Sequence, residues 1–375
     1  TGDSGDTPGG GGDTPGGGGD TPTPVPTPPV DPGGDTPGGG DTPSGGDTPP
    51  ADGAKIVLEG RVASLAIIAG IGNWLADHSY KSADMALKEG NPLTHPPSSG
   101  DEDRGWDPFA GVDVGVFWTH KGSKNKYRTF TFIAGLARQV YMPNHNSSFL
   151  IAAFADGGFA HYDVDADLGR LYDGDGSIRY LGGGLMTRYR WNNGFRLEGS
   201  ARAGKIETKF TAPNFVAGNG QSLHFDFETP YYALHNGAGH AWMLSDNSTL
   251  DLLARYFWTK QNAKSFRLST GERLSYDKSI SQRFRFGARY TKIRSERFSY
   301  YLGAHYEQEF DAESRCYVLG QPYDAPSMKG GTGIGEIGII YRSTKDKRFN
   351  VEAGLQGHVG VRRGISGGVR IGWEF

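Results

Sequence analysis

Apolar and polar side chains alternate along the end of this chain. From Gly364 to Phe375, Ile365, Gly367, Val369, Ile371, Trp373 and Phe375 share one face, and Ser366, Gly368, Arg370, Gly372 and Glu374 share the other. Successive side chains of a strand point to opposite sides, so this segment has one apolar wall and one wet wall. The division recurs upstream. Phe284, Phe286, Ala288 and Tyr290 oppose Arg285, Gly287 and Arg289, and Tyr300, Leu302, Ala304 and Tyr306 oppose Tyr301, Gly303, His305 and Glu307. Alternation and turn residues from Asp107 onward predict twelve strands, near 109–120, 129–141, 148–162, 178–191, 195–210, 230–244, 249–261, 282–292, 298–310, 333–342, 349–361 and 365–375. Thr129–Tyr141 alternates poorly, so its register is not fixed by pattern. An even number of half-apolar strands fits an all-β, antiparallel transmembrane barrel.

The connections carry a second signal. Turns near 144–147, 192–194, 245–248 and 294–297 are short and 343–348 is slightly longer, whereas Thr211–Thr229, Asn262–Ser281 and Asp311–Thr332 read as long loops. Short turns on one side and long loops on the other mark a membrane barrel, and a soluble sandwich has no reason to sort loop length by parity. With the short turns in the periplasm, both barrel ends lie there too. Mean hydropathy is low, −0.52, and the longest apolar run, Val62–Ile71, is far shorter than the ~20 residues a spanning helix needs. These values disfavour a helical membrane protein and leave a barrel open, because its strands are only half apolar.

If the alternation faces lipid on its apolar side, Arg202, Arg285, Arg289, Glu307, Glu336, Glu352 and Glu374 line the lumen, with Arg196, Glu198 and Glu309. An Arg facing lipid at the midplane costs about 2–4 kcal/mol, so these groups must meet water or one another. They form either a hydrated conduit for an extended polypeptide or ion pairs that fill a plugged pore. Trp118, Trp191, Trp258, Trp373 and Tyr256 sit at strand ends or on the apolar face, where amphipathic rings favour the membrane interface or simply pack.

Composition divides the chain into three. Residues 1–53 are almost all Gly, Pro, Thr and Asp in a degenerate DTPGGGG-like repeat, which lacks the apolar surface to offset chain entropy and predicts a disordered linker. Residues 54–104 predict a helix over Val62–Ala76 and a connection, and 105–375 the barrel. Val62, Leu65, Ala66, Ala69 and Asn73 are the helix residues expected in the pore, since small side chains suit a narrow lumen. Gly70 and Gly72 weaken the helix, and Pro92, Pro96 and Pro97 end it. The start at Thr1, without Met or an export-signal pattern, predicts a C-terminal portion whose signal and cargo lie upstream.

Candidate chemistry changes this picture little. Net charge is −3, so no basic field points to nucleic acid. The single Cys316 excludes an intramolecular disulfide and a Cys-based zinc site. Asp163, Asp165 and Asp167 have calcium-loop spacing, but Gly169 is one place late and Gly174 stands where Glu is expected, so a solvated acidic loop is favoured. There is no HExxH and no GxxxxGK[ST]. A barrel enzyme could draw on His224, Asp226 and Ser279, to which sequence assigns no geometry. No cofactor or metal is expected.

Several motifs in order carry a family resemblance: EGRVASLAIIAGIGNWL at Glu59, DPFAGVDVG at Asp107, YLGGGLMTRYRW at Tyr180, LDLLARYFWTKQ at Leu250, FRLSTGERLSY at Phe266, APSMKGGTGIGEIGIIYR at Ala325 and VEAGLQGHVGVRRGISGGVRIGWEF at Val351. From about Ala54 to Phe375 the chain resembles the translocator domain of autotransporters, the type V self-secretion proteins. The resemblance implies a twelve-stranded outer-membrane barrel with an N-terminal helix in its pore and a tether leading to a surface-exposed passenger. It further implies no enzymatic activity and a monomer. The implied partners are the chain's own passenger, the barrel assembly machinery, periplasmic chaperones, and outer-membrane lipid and lipopolysaccharide. Val369, Ile371, Trp373 and the terminal Phe375 resemble the C-terminal signal recognised during barrel assembly. Some autotransporters cut their own linker by Asn cyclisation; Asn73 is the one candidate, and it lacks both a neighbouring Asn and an evident activating carboxylate.

Overall fold

The computed structural model describes residues 51–86 and, with short gaps, 105–373. Phe375 and Glu374 lie outside the described residues, as do nearly all of the expected linker and Pro92, Pro96 and Pro97. Helix α1 spans Ala51–Ala86. Twelve strands close a barrel: β1 Asp107–Lys121, β2 Ser123–Met142, β3 Ser147–Asp167, β4 Leu171–Trp191, β5 Phe195–Val216, β6 Ser222–Ser245, β7 Ser248–Gln261, β10 Ser279–Ile293, β11 Phe298–Glu309, β14 Gly330–Arg342, β15 Phe349–Gly360 and β16 Arg363–Trp373. Between them, β8 Lys264–Arg267, β9 Arg273–Tyr276, β12 Arg315–Val318 and β13 Gln321–Asp324 form a separate four-stranded sheet. All barrel neighbours are antiparallel, and β16 closes on β1 with Val369 opposite Val112 and Ile365 opposite Val116.

Side-chain direction follows the alternation. On β16, Ile365, Val369, Ile371 and Trp373 are exposed outward while Ser366 and Arg370 are buried. Phe284, Phe286, Tyr300, Leu302 and Tyr306 also face out, and Arg285, Tyr301, His305 and Glu307 face in. Outward leucines, valines and phenylalanines recur around the barrel, giving the continuous apolar band that a bilayer requires.

Three expectations are corrected. Thr211–Thr229 is not a loop: β5 and β6 run through it as a paired hairpin, from Thr211 opposite His224 to Val216 opposite Ser222. Consequently β2–β6 reach 20 to 24 residues. A membrane crossing takes about 9–11 residues, so these strands project roughly ten residues beyond it. The second correction follows, because Asp163, Asp165 and Asp167 belong to paired β3 and not to a loop. Third, 262–278 and 310–329 are not plain loops, since they carry β8, β9, β12 and β13.

The helix is longer than predicted, beginning at Ala51 inside the stretch expected as linker and passing through Gly70 and Gly72. Tertiary contacts hold what propensity alone would not. It touches strands all round the barrel, from β1, β2 and β16 to β5, β7 and β10. The poor alternation of β2 has the same cause. Its inward Ile133 and Ala137 belong to an apolar core with Leu150, Phe154, Val57 and Ile68, so both faces of the strand are apolar.

Candidate functional site

The site is the lumen and the helix that fills it. Residues of α1 from Val57 to Ala69 are almost entirely buried. Val62 and Leu65 pack on Ala312 and Met328 with Ala66 alongside. The helix has a direction. Near its start the Tyr276 hydroxyl of β9 donates to the Val57 carbonyl at 2.5 Å. Near its end the Tyr80 hydroxyl donates to the carbonyls of Gly199 at 2.6 Å and Thr187 at 3.1 Å, a few residues from the 192–194 turn. Val57 to Tyr80 spans about 35 Å at 1.5 Å per residue, so the helix crosses the barrel from the loop end to the turn end.

Ion pairs from the wall grip the middle of the helix. Arg202 on β5 bonds Asp156 at 3.1 Å and donates to the Ile68 carbonyl at 2.9 Å. Arg283 on β10 donates to the Ala69 carbonyl at 2.5 Å and pairs with Glu307 at 3.3 Å. Both guanidiniums flank Gly72, where an added Cβ would lie 3.4 Å from Arg202 and 3.5 Å from Arg283, at ordinary contact distance. Asn73, one residue on, donates its amide to Glu307 at 2.5 Å. Glu307 also takes Arg285 at 3.0 Å and Arg362 at 3.6 Å.

The remaining charges are paired as well. Glu336 accepts Arg289 at 2.5 Å and lies 3.2 Å from His305, and Glu352 pairs with Arg370 at 2.5 Å. Arg289 also stacks 4.6 Å over the Tyr301 ring, which lies flat because Gly338 and Gly354 leave its space open; a Cβ at either would come within 2.4 Å of it. The apolar core on β2–β6 lies beside these charges and itself encloses the Arg202–Asp156 pair. Beside the helix, between Asn73, Asp113, Thr131 and His358, about 60 Å³ remains.

At the loop end the four-stranded sheet closes over the helix. Phe266 stacks on Phe227 at 4.9 Å and Tyr276 packs tilted against it at 5.3 Å, joining the sheet to the projecting β6. Arg61 is fully buried there and donates to the Asn262 carbonyl at 2.5 Å, the Asp277 carbonyl at 3.3 Å and Ser279 Oγ at 3.3 Å.

Sequence reasoning missed Arg61, Asp156 and Arg283. Arg283 shares the parity of Arg285 and was findable, whereas Asp156 sits in a Gly- and Ala-rich stretch without a strong pattern. The carboxylate for Asn73 exists, but three guanidiniums already share it. The enzyme candidates do not converge: Ser279 is buried against Ser314 and Arg61, whereas His224 and Asp226 face outward on β6. No cluster of metal-ligating residues occurs among the described residues. Of the assembly-signal residues, Trp373 packs edge-on to Phe349 at 5.5 Å and Val369 and Ile371 are exposed on the outer face.

A family model described as the autotransporter beta-domain matches residues 117–369. Among solved structures, the beta domain of the Bordetella autotransporter BrkA has a TM-score of 0.56 at 15% identity, covering 72% of this chain and 100% of that one. The translocator domain of NalP from Neisseria meningitidis matches with a TM-score of 0.56 at 15% identity, covering 83% and 99%. The transport unit of AIDA-I from Escherichia coli gives 0.54 at 13%, covering 78% and 99%. No curated protein sequence matches.

Proposed function

The chain belongs to the autotransporter β-domain family, and from that premise we propose how its parts divide the work of an outer-membrane barrel that secretes and anchors a passenger carried on the same polypeptide. Residues 1–53 are the tether, 54–104 the pore helix and its return to the first strand, and 105–375 the barrel. The observation that carries this reading is the direction of α1: its start lies under the surface sheet at Tyr276 and its end at the periplasmic turns near Gly199. Polypeptide upstream of the helix therefore leaves at the cell surface.

In this reading the lumen charges have two duties. While polypeptide passes, Arg202, Arg285, Arg289, Glu307, Glu336, Glu352 and Glu374 present a wettable wall. Afterwards, Val62, Leu65, Ala66, Ala69 and Asn73 occupy the same space and the charges close on the helix. Val369, Ile371, Trp373 and Phe375 serve as the assembly signal, recognised by the barrel assembly machinery after delivery by periplasmic chaperones. The barrel acts as a monomer without catalytic activity, and the energy of export comes from passenger folding outside, since no nucleotide motif is present in the sequence.

An epitope placed before Thr1, behind an export signal, tests the reading. Intact cells are expected to expose the epitope to added protease. An epitope retained in the periplasm beside a correctly inserted barrel would overturn it.

A further inference from the structure

The outer face of the barrel is not the same at its two ends. At the periplasmic end the outward side chains include several aromatics, among them Phe195, Trp242, Phe298 and Trp373. At the surface end, the first outward residue beyond the apolar band is basic on several strands: Arg128 past Phe130, Arg179 past Leu181, Lys205 past Ala203 and Arg363 past Ile365. Carboxylates stand beside some of these cations, Glu207 opposite Arg179 and, on β3, Asp163 opposite Lys126.

Around β1 these cations converge. Trp118 stands opposite Lys126 on β2 and Arg363 on β16, and Val116 stands opposite Arg128 and Ile365. Two strand spacings put Lys126 and Arg363 about 10 Å apart at the backbone, with the half-exposed Trp118 between them, within reach of one shared anion. Arg128 is 52% exposed and pairs with Asp163 at 3.0 Å, and Arg363 donates to the Gly360 carbonyl at 3.3 Å. Lys126 has no ion pair among the described residues. Below this group runs an apolar depression of about 1210 Å³, lined by Val114, Val116, Leu355, Ile365 and Gly367, with Trp118 and Arg128 at its rim. Gly367 opens its floor, lying between Val114 and Leu355 in the pairing without a side chain of its own.

A cluster of cations directly over an apolar groove fits an amphiphile that carries both phosphate and acyl chains, because guanidinium and ammonium groups give charge-assisted hydrogen bonds to phosphate oxygens. Resting on the outer-membrane reading, we propose that Lys126, Arg128 and Arg363 hold a phosphate of an acylated glycolipid of the outer leaflet, with an acyl chain lying in the groove across β1, β15 and β16. The position of Lys126, Arg128 and Arg363 at the surface end selects the leaflet. The site is a fixed lipid contact on the wall where the first and last strands meet.

The test titrates the full 375-residue chain in detergent with diphosphoryl lipid A and follows retained lipid by native mass spectrometry. Wild type is expected to keep one lipid A per barrel, and K126Q/R128Q/R363Q to bind at least tenfold more weakly. K264Q/R267Q/R273Q, which removes the same charge from exposed positions of the surface sheet, is expected to bind as wild type. Fully dephosphorylated lipid A is expected to bind wild type at least tenfold more weakly. Equal binding by the first variant and wild type, equal loss in the second, or phosphatidylglycerol binding as tightly as lipid A would overturn the proposal. Heat-modifiable migration and surface display of the epitope read the translocator separately, and both are expected to persist in the first variant even if the lipid site fails.

Discussion

Asn73 on the pore helix and Glu307 on the barrel wall, far apart in sequence, are joined by a 2.5 Å hydrogen bond in the lumen. Glu307 is simultaneously the acceptor for Arg283 and Arg285 and lies 3.6 Å from Arg362. The two ends of this contact therefore differ in weight. Asn73→Ala removes one hydrogen bond, worth about 1–2 kcal/mol. Glu307→Gln leaves buried guanidiniums without their counter-charge, which costs about 3–5 kcal/mol. Thermal unfolding in detergent should rank the variants in that order, and E307Q no more destabilised than N73A would contradict the arrangement.

Gly72 separates space from flexibility. An added Cβ meets Arg202 and Arg283 only at ordinary contact distance, and Ala replaces Gly in a helix with a gain of about 1 kcal/mol. Gly72→Ala is therefore expected to hold or raise the melting temperature. Gly72→Leu would push both guanidiniums off the carbonyls of Ile68 and Ala69 and lower it. A melting temperature for G72L equal to that of G72A would show that the guanidiniums do not close on the helix there.

Arg61 ties the helix to the surface sheet. Replacing it by Ala strips donors from the carbonyls of Asn262 and Asp277, at about 1–3 kcal/mol for each buried group left unmade. Limited proteolysis of R61A is expected to cut within 262–278 faster than in wild type while the barrel strands stay protected. Unchanged cleavage would mean that the sheet stands independently of the helix.

Deleting Phe375 tests the assembly signal. One terminal ring contributes at most about 2–3 kcal/mol of burial, so a barrel refolded in vitro should melt near wild type while outer-membrane levels in cells fall. Equal levels in cells would argue against that role.

Strand count and facing were legible in the sequence because lipid outside and polar groups inside impose period two, as on β10, β11 and β16. That constraint lapses where both faces are apolar, which is why β2 was obscure, and above the membrane, where Pro213 and Asn214 read as loop within β5. The four-residue strands β8, β9, β12 and β13 are held by packing of Phe266 and Tyr276 on β6, a long-range contact that no local pattern announces. The lumen residues were legible by parity, but their partners were not. Arg202 meets Asp156 two strands away and Arg283 meets a helix carbonyl, pairings set by barrel closure.

Single-channel conductance shows whether α1 fills the conduit. Removing Thr1–Glu89 takes away the helix and with it the ligands of Arg202, Arg283 and Glu307, but no strand pairing. The shortened barrel is expected to keep a β-rich circular dichroism spectrum like that of the full chain, to melt at a lower temperature and to conduct several times more in planar bilayers. Conductance equal to that of the full chain, from a barrel that is folded by the same spectrum, would contradict this.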